Sequence, residues 1–396
     1  MSMSSDTPVQ IAWDEAMTAY DFGRGHPMSP IRLELTTRLA ERLGILTRPG
    51  VQVVEPRQAS DSELATVHEP AYIDAVRAAS QDPDQVNLHR GLGTSDVPTF
   101  ADMHEVSARV VGATVDTSLA VWHGQAVRAA NIAGGLHHAM PGLASGFCVY
   151  NDIAVAIRAL LDAGARRIAY VDVDVHHGDG VQYTFADDPR VLTISLHESP
   201  LTLFPGTGFS DDTGGAGAEG SAVNVALPPG TRDAGWLRAF HAVVPPLLRA
   251  FAPEILVTQQ GCDTHVNDPL ANLALTVDGQ RESYVALRGL ADELCSGRWV
   301  AVGGGGYEII EVVPRAWSHL LATVAGEPIE PSREVPEEWR EYVSRRYGRP
   351  APGRMTDGGD VEYRDWDDGF DPAEAVDRAI KATRQAIFPA HGLDIG

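Results

Sequence analysis

The chain has 396 residues, which is enough for one large α/β domain or two ordinary ones. With 44% hydrophobic and 21% charged residues, it has the composition of a soluble globular protein. Its 54 acidic and 31 basic residues give a formal net charge of −23, which argues against direct binding of nucleic-acid phosphates. The three cysteines, at positions 148, 262 and 295, are too few and too scattered for a disulfide scaffold or a zinc ribbon.

The amino-terminal segment does not have the pattern of a targeting sequence. Residues 1–13, MSMSSDTPVQIAW, lack the basic and apolar regions of a secretory signal peptide. No run along the chain reaches the ~18 apolar residues of a membrane-spanning helix. We therefore expect a cytoplasmic protein with no membrane partner.

Four short apolar runs in the middle of the chain are predicted to be β-strands. Each is rich in Val, Ile or Ala and is bounded by Gly or polar residues; they cover residues 126–135, 166–175, 254–261 and 298–306. Two segments between these runs, residues 151–164 and 233–251, have a helical pattern. Strands that alternate with helices predict a parallel sheet that is covered by helices on both faces.

The composition changes near residue 325, where Pro, Glu, Arg and Asp become frequent. We expect residues 1–325 to form the catalytic domain and residues 326–396 to be an extension that packs on it. Within this extension a final helix is predicted from Asp371. Pro372 would be its first residue, and Glu374 would complete a start similar to a capping box.

Polar side chains follow all four predicted strands. The sequences LHHAM, HHGDG and CDTH come after the first three runs, and a tyrosine comes after the fourth. In parallel sheets, ligands bind beyond the carboxyl ends of the strands. The four segments therefore predict one functional site at the same edge of the sheet.

The second of these segments, YVDVDVHHGDG, indicates a metal site. Asp172, Asp174 and His176 alternate, so they share one side of an extended chain. No Lys or Arg lies nearby in the sequence, so a metal explains the group better than an ion pair; the alternative is a hydrogen-bonded polar cluster. These ligand types suit Zn²⁺, with Fe²⁺ or Mn²⁺ as alternatives. Asp263 would complete three protein ligands, which leave a coordination position open for catalysis.

His137 and His138 are adjacent, and spare carboxylates are available to them. Asp172 and Asp179 are not both needed by a metal, so each could pair with one histidine. A His–Asp pair fixes the tautomer of the imidazole and tunes its basicity, as a general base requires. The alternative is a pair of hydrogen-bonded polar histidines with no catalytic role.

Tyr307 ends a glycine run, GGGGY, at residues 303–307. The run does not fit a dinucleotide-binding fingerprint, because Glu308 stands where a glycine is required. A phenol beside an open metal site donates a hydrogen bond to a developing oxyanion, although Tyr307 could also be merely structural. Together with the metal and the histidines, it predicts metal-dependent hydrolysis of an amide or ester. A nucleophilic serine or cysteine is not required.

The sequence as a whole resembles the histone deacetylases. The segments GGLHHAMPGLASGFCVYND, YVDVDVHHGDGVQ, TISLHESP, LFPGTG, QGCDTHVNDPL and GGGGY occur in the order seen in that family. With GRGHPMSPIRLELTTRL near the start, the resemblance covers residues 15 to 320. It is similar above all to the class I type and to its bacterial relatives, the acetoin utilization proteins.

The resemblance implies an arginase/deacetylase fold, with a parallel sheet of eight strands or so between helix layers. It also implies zinc-dependent removal of acetyl groups from lysines in proteins, with acetyl-CoA synthetase as a possible substrate. The resemblance assigns the zinc, or Fe²⁺ in its place, to Asp174, His176 and Asp263.

The resemblance further implies a role for each catalytic residue. His138 would be the principal general base, with Asp179 behind it. His137, paired with Asp172, would be the electrostatic partner and proton donor. Tyr307 would bind the carbonyl oxygen and then the oxyanion.

Substrate and potassium sites are also implied by the resemblance. Gly146, Phe147, Phe204 and Leu270 would line a narrow tunnel for the acyl-lysine stem. Asp96 would be the rim aspartate that holds the substrate backbone, and Arg32 would be the arginine of an inner channel. One potassium ion would bind the backbone carbonyls of Asp172, Asp174, His176 and Leu196 and the hydroxyl of Ser195. A second potassium ion would bind carbonyls around Phe185, Asp188 and Val191.

Other functions remain open from the sequence. The enzyme could remove acetyl groups from a small molecule, such as an acetylated polyamine or amine. The chain could be a catalytically silent module that binds acetyl-lysine. It could also resemble arginase, with two manganese ions and Asp268 as an extra ligand. The sequence predicts no particular oligomeric state.

Overall fold

The computed structural model describes residues 8–396, so part of the amino-terminal segment considered above lies outside the described residues. The described residues contain eight β-strands and eleven α-helices. The strands are β1 (Val9–Ala12), β2 (Val51–Val54), β3 (Arg128–Asn131), β4 (Ile168–Asp172), β5 (Val191–Glu198), β6 (Ala222–Leu227), β7 (Ile255–Gln259) and β8 (Trp299–Val302). The helices are α1 (Ile31–Arg42), α2 (Asp61–Leu64), α3 (Pro70–Gln81), α4 (Met103–Trp122), α5 (Asp152–Asp162), α6 (Asp179–Phe185), α7 (Asp233–Phe251), α8 (Val277–Leu294), α9 (Val313–Val324), α10 (Glu337–Tyr347) and α11 (Ala375–Ile387).

The strands form one sheet, in the order β2-β1-β3-β8-β7-β4-β5-β6, and every pairing is parallel. Strands β4, β5, β7 and β8 are buried along their whole length, because helices cover both faces of the sheet. This explains why β4, β7 and β8 are largely apolar runs, whereas β5, with the sequence VLTISLHE, is fully buried although polar residues alternate along it. The predicted parallel sheet of eight strands between helix layers is confirmed.

The four strands that precede the polar segments are neighbours at the centre of the sheet. They are β3, β8, β7 and β4, in that spatial order. Parallel neighbours end at the same edge, so this order brings four segments that are distant in sequence to one place.

Helices α5 and α7 occupy the two segments with a predicted helical pattern. Helix α7 continues through Pro245 and Pro246. Since Pro246 has no backbone N–H, the carbonyl of Ala242 lacks its usual helical donor. That carbonyl accepts a hydrogen bond from Nη1 of Arg384 on α11 at 2.7 Å instead. The carboxy-terminal helix therefore completes the hydrogen bonding of α7.

The prediction for the start of the final helix is wrong by three residues, because Pro372 was expected as its first residue. Helix α11 begins at Ala375, and Glu374 is its N-cap residue without a side-chain capping bond. The side chain of Asp371 accepts a hydrogen bond from the backbone N–H of Ala373 at 2.9 Å. Residues 371–374 therefore form a local turn that is stabilised by Asp371, and this turn competes with the first turn of a helix.

Residues 326–396 pack on the rest of the chain at several places. On α10, the buried Trp339 donates a hydrogen bond from Nε1 to the carbonyl of Leu35 at 3.0 Å. On α11, Asp377 forms an ion pair with Arg238 of α7 at 2.6 Å, and both side chains are nearly buried. The division of the chain at residue 325 stays a prediction. None of the helices among the described residues is both long and apolar enough to span a membrane.

Candidate active site

The carboxyl ends of the four central strands bring the predicted catalytic and metal-binding residues together. Each strand contributes one segment to the same edge of the sheet. His137 and His138 follow β3, Asp174 and His176 follow β4, Asp263 follows β7, and Tyr307 follows β8.

Asp174, His176 and Asp263 form a buried group that could hold a metal ion. Their ligand atoms all lie within 4.8 Å of one another. Nδ1 of His176 is 3.1 Å from Oδ1 of Asp174 and 3.1 Å from Oδ2 of Asp263. One imidazole nitrogen and two carboxylate oxygens are ligands that suit a divalent transition metal such as zinc. The residues present therefore fit the predicted cation.

Hydrogen bonds from neighbouring segments orient both carboxylates. Oδ2 of Asp174 accepts from Nε2 of Gln259 at 2.7 Å and from the backbone N–H of Gly305 at 2.8 Å. Oδ1 of Asp263 accepts from the backbone N–H of Val175 at 2.9 Å. The other oxygen of each carboxylate faces His176. Such outer bonds fix metal ligands in a productive orientation.

The charges in this group are strongly coupled. Burial and the negative charge of Asp174 raise the pKa of Asp263 to about 7. Burial would also raise the pKa of Asp174, but His137 and His176 outweigh it and hold that pKa well below its usual value. Burial would lower the pKa of His176, but its hydrogen bonds with both aspartates raise it to about 10. Two buried carboxylates that compete for positive charge favour a cation at this position.

The two histidines each pair with one aspartate. Nδ1 of His137 lies 2.7 Å from Oδ2 of Asp172, and Nδ1 of His138 lies 2.7 Å from Oδ1 of Asp179. The Nε2 atoms of the two rings are 3.0 Å apart. A contact of this length between two nitrogens requires that one of them carries a proton and the other accepts it.

The surroundings separate the pKa values of the two histidines. Burial would lower the pKa of His137, but the charges of Asp172 and Asp174 outweigh it and raise the pKa to about 9. Burial and the positive charge on His137 lower the pKa of His138 to about 4. His137 therefore holds the shared proton, and His138 is the neutral imidazole of the pair.

Tyr307 closes the site on the side of β8. Its backbone N–H donates to Oδ2 of Asp268 at 2.8 Å, and its ring meets the ring of Phe147 edge to face, with 5.6 Å between centroids. Burial and the nearby charge of Asp263 raise the pKa of the phenol well above its usual value. The phenol therefore keeps its proton and remains a hydrogen-bond donor. Asp268, considered above as an extra metal ligand, instead accepts from Tyr307 and from the backbone N–H of Leu270.

A cavity of about 250 Å³ leads from the surface to this group of residues. The aromatic rings of Phe204 and His138 meet at 5.0 Å on one wall. The lining contains five of the six predicted substrate residues, and consists of Asp96, His138, Gly146, Phe147, His176, Leu203, Phe204, Leu270 and Tyr307.

The segment 146–147 forms one wall of the cavity in a strained conformation. Gly146 and Phe147 both have positive φ, of 54° and 64°. A left-handed conformation is unfavourable for a phenylalanine by about 1–2 kcal/mol. Two bonds hold it: the carboxylate of Asp96 accepts from the N–H of Gly146 at 2.8 Å, and the hydroxyl of Tyr20 donates to the carbonyl of Phe147 at 2.8 Å.

Arg32 does not line this cavity. Its Nη1 donates to the carbonyl of Gly304 at 2.7 Å, so it lies behind the glycine run that leads to Tyr307. Together with Met17 and Met28 it lines a second, very small cavity. This position is compatible with the predicted inner channel, which stays a prediction.

The residues predicted to bind potassium are grouped at the ends of β4 and β5. Asp172 pairs with Ser195 in the register of these two strands, and Leu196 is the next residue of β5. The hydroxyl of Ser195 lies 2.8 Å from Nδ1 of His197. The second predicted site lies on a turn that contains Phe185, Asp188 and Val191. The backbone N–H of Asp188 donates to the carbonyl of Phe185, and the N–H of Val191 donates to the carbonyl of Asp188. Binding of potassium at either place stays a prediction.

Sequence reasoning missed several residues that support the site. Tyr170 donates from its hydroxyl to Oδ2 of Asp172 at 2.6 Å, and Gln259 donates to Asp174. Tyr170 lies two residues before Asp172 on the same strand, so the period of two along a strand could have identified it. Leu203 also lines the cavity, and the carboxylate of Asp96 contacts Gly146, 50 positions later in the chain. Only the tertiary structure reveals these two features.

The fold and the chemistry gathered at this edge are those of a hydrolase, with two His–Asp pairs and a group that could hold a metal ion beside a largely apolar cavity. Residues 26–324 match the family model described as the histone deacetylase domain. The chain belongs to the histone deacetylase family, and is a deacetylase.

Curated relatives agree with this assignment. The chain is 40% identical over 344 residues to "Acetoin utilization protein AcuC" of Bacillus subtilis (strain 168), with 86% of this chain and 88% of that protein covered. It is 38% identical over 352 residues to the protein of the same name from Staphylococcus aureus (strain MSSA476), with 87% and 90% covered. The protein of that name from Staphylococcus xylosus is 38% identical over 322 residues, with 81% and 83% covered.

Proposed function

We propose that the protein hydrolyses the side-chain amide of N-ε-acetyl-lysine in other proteins. One water is consumed, the bond between the acetyl carbon and the lysine nitrogen breaks, and acetate and a free lysine are released. The observation that carries this proposal is the apolar cavity that ends at the metal-binding group, His138 and Tyr307. Its aromatic and aliphatic walls suit the four methylene groups of a lysine stem, because these groups need no hydrogen-bond partner when they are buried.

The Asp174–His176–Asp263 group would hold a Zn²⁺ ion, or Fe²⁺ in its place. A bound divalent cation supplies Lewis acidity, which lowers the pKa of a water molecule and polarises the amide carbonyl. His176, a member of this group, lines the cavity beside His138 and Tyr307, and this supports the assignment.

His138 would take the proton from the attacking water. It is the neutral imidazole of the pair, its Nδ1 is fixed by Asp179, and it lines the cavity. His137 would stabilise the resulting charges and supply a proton to the departing lysine nitrogen, because it retains its proton beside Asp172. Two titratable groups whose surroundings drive their pKa values apart are typical of an acid–base pair.

Tyr307 would donate a hydrogen bond to the acetyl oxygen, with its greatest effect when that oxygen carries negative charge in the tetrahedral intermediate. The phenol lines the cavity and keeps its proton, as this role requires. The strained wall at Phe147, which contacts the ring of Tyr307, would confine the acetyl group beside it.

A small acetylated amine is the second candidate substrate. The carboxylate of Asp96 lies in the lining of the cavity, where it could pair with the ammonium group of an acetylated diamine. Its existing bond to Gly146 favours a role in holding the wall and the substrate backbone.

The names of the relatives refer to acetoin utilization, and acetyl-CoA synthetase is the metabolic protein that we propose as a substrate.

The test is a comparison of turnover with acetyl-, propionyl- and butyryl-lysine peptides and with acetylputrescine, after loading with Zn²⁺ or Fe²⁺ separately. We expect release of acetate from the peptides, with inhibition by a hydroxamate. Turnover of acetylputrescine alone would replace the protein substrate by a small molecule. Binding of acetyl-lysine peptide without turnover would indicate a silent binding module.

A further inference from the structure

The carboxy-terminal extension contacts the loop that carries Asp263, through Asp357. Oδ2 of Asp357 lies 2.9 Å from Nε2 of His265 and accepts from the backbone N–H of Val277 at 2.9 Å. Oδ1 of Asp357 accepts from Nη2 of Arg315 at 2.7 Å. Asp357 follows the part of the chain that matches the family model, which ends at residue 324. A single carboxylate thus joins the extension to α8, α9 and the metal-binding loop.

The segment that presents Asp357 is itself fixed. The carboxylate of Asp278 on α8 accepts from the hydroxyl of Thr356 at 2.6 Å. It also accepts from the backbone N–H groups of Asp357 and Gly359, each at 3.0 Å. Asp357 is therefore held in position before it contacts His265.

From His265 the contacts continue to Tyr307. The carbonyl of His265 accepts from the backbone N–H of Asp268 at 2.9 Å, and Nδ1 of His265 accepts from the N–H of Asn267 at 3.1 Å. Oδ2 of Asp268 accepts from the N–H of Tyr307 at 2.8 Å. The loop 262–268 consequently connects Asp357 with both Asp263 and Tyr307.

Helix α8 supports the same loop on the other side of Asp263. Nε2 of Gln280 donates to the carbonyl of Cys262 at 2.8 Å and to the hydroxyl of Thr264 at 2.9 Å. Cys262 and Thr264 are the residues on either side of Asp263. The backbone that presents this carboxylate is therefore fixed from two directions, by Gln280 and by Asp357 through His265.

We propose that Asp357 is a positioning residue, which holds loop 262–268 so that Asp263 and Tyr307 have the geometry needed for metal binding and catalysis. The proposal rests on the proposed function and its metal site. The carboxylate cannot be removed without consequence, because it faces two groups that are almost inaccessible: the side chains of Arg315 and His265 are only 4% and 2% exposed. Without this carboxylate, Arg315 would keep only backbone carbonyls as acceptors, and Nε2 of His265 would lose its hydrogen-bond partner. The loop that carries His265 would therefore move towards solvent or another acceptor.

The experiment compares Asp357→Asn and Asp357→Ala with a matched control, Asp360→Ala. Asp360 is an exposed aspartate of the same segment, and its Oδ1 accepts from the backbone N–H of Glu362 at 3.0 Å. The full-length protein is stripped of metal and titrated with Zn²⁺ in competition with a chelator. The visible absorption of bound Co²⁺ reports the coordination geometry, and circular dichroism reports folding.

We expect Asp357→Ala to weaken Zn²⁺ binding about 10- to 100-fold, as for other residues that orient metal ligands, and to alter the Co²⁺ spectrum. Asp360→Ala should match the unmodified protein. If Asp357→Ala does not fold, Asp357→Asn decides, because it keeps the shape and one acceptor oxygen but lacks the charge; it should show a smaller loss of affinity. Unchanged Zn²⁺ affinity and an unchanged Co²⁺ spectrum in folded variants would overturn the proposal. Both readouts need no substrate, so an absence of deacetylase turnover in the unmodified protein would refute the proposed function alone.

Discussion

Replacement of Tyr307 by phenylalanine tests the proposed chemistry most directly, because it removes one atom of the site. The ring of the new residue keeps its edge-to-face contact with Phe147, for which the centroids are 5.6 Å apart. The hydrogen bond to Asp268 is made by the backbone N–H, so it is also retained. The substitution therefore deletes the hydroxyl while the wall of the cavity stays in place.

The magnitude follows from the role of that hydroxyl. Loss of one hydrogen-bond donor to an oxyanion lowers kcat by about 10²–10³-fold, which corresponds to about 2.7–4 kcal/mol of transition-state stabilisation. Metal affinity should not change, because the phenol is not a member of the metal-binding group. KM should change little, because the effect is confined to the charged intermediate.

Single-turnover hydrolysis of an acetyl-lysine peptide measures the chemical step, and metal content measured on the same sample is the control. A decrease of kcat by two orders of magnitude or more with full metal content supports the role of Tyr307. A rate within about threefold of the unmodified protein would refute it, since a loss of 2.7 kcal/mol cannot be hidden in so small a change.

Two further substitutions test the acid–base pair and the attachment of the carboxy-terminal helix. Asp179→Asn should lower kcat about 10- to 100-fold, because a neutral amide no longer raises the basicity of His138, whose Nδ1 is 2.7 Å away; steady-state kinetics with an unchanged kcat would contradict the pairing. Asp377→Asn should lower stability by about 3–5 kcal/mol at neutral pH, because it leaves the buried Arg238 without its charged partner and with only backbone carbonyls as acceptors. Burial would raise the pKa of Asp377, but the hydrogen bonds from Arg238 outweigh it and lower that pKa. The carboxylate therefore stabilises the folded protein fully above its unfolded pKa of about 4. This stabilisation is lost as the pH falls through the lower pKa of the folded state. The unfolding temperatures of the unmodified protein and of Asp377→Asn should therefore differ at pH 7 and converge below pH 4. A difference that does not depend on pH would contradict this account.

Much of the fold could be predicted from local pattern. The apolar runs identified β3, β4, β7 and β8, because strands that are covered on both faces are mostly apolar. Helix α7 was predicted at its full length, from Asp233 to Phe251, in spite of two internal prolines. The start of α11 was predicted wrongly, because an aspartate that bonds to its own backbone can form a turn as readily as it can begin a helix.

The sequence by itself determined the residue types of the site and their position after strands, since aspartates and histidines directly after apolar runs have few explanations other than a buried site. Residue spacing alone left open which of them become partners. Spacing groups Asp172 with Asp174 and His176 and allows it to pair with a histidine, and only the family resemblance implies that this histidine is His137. In the structure the carboxylate of Asp172 lies 2.7 Å from Nδ1 of His137, which is 35 positions earlier in the chain.

Only the tertiary structure decided the partners, because strands β3, β8, β7 and β4 are adjacent in space and not in sequence. Their order depends on how each connecting helix packs across the sheet, which no short segment encodes. The same holds for Asp357, which is 92 positions from His265 and meets it because the extension crosses the amino-terminal end of α8. Buried charges need partners, and here remote segments of the chain provide them.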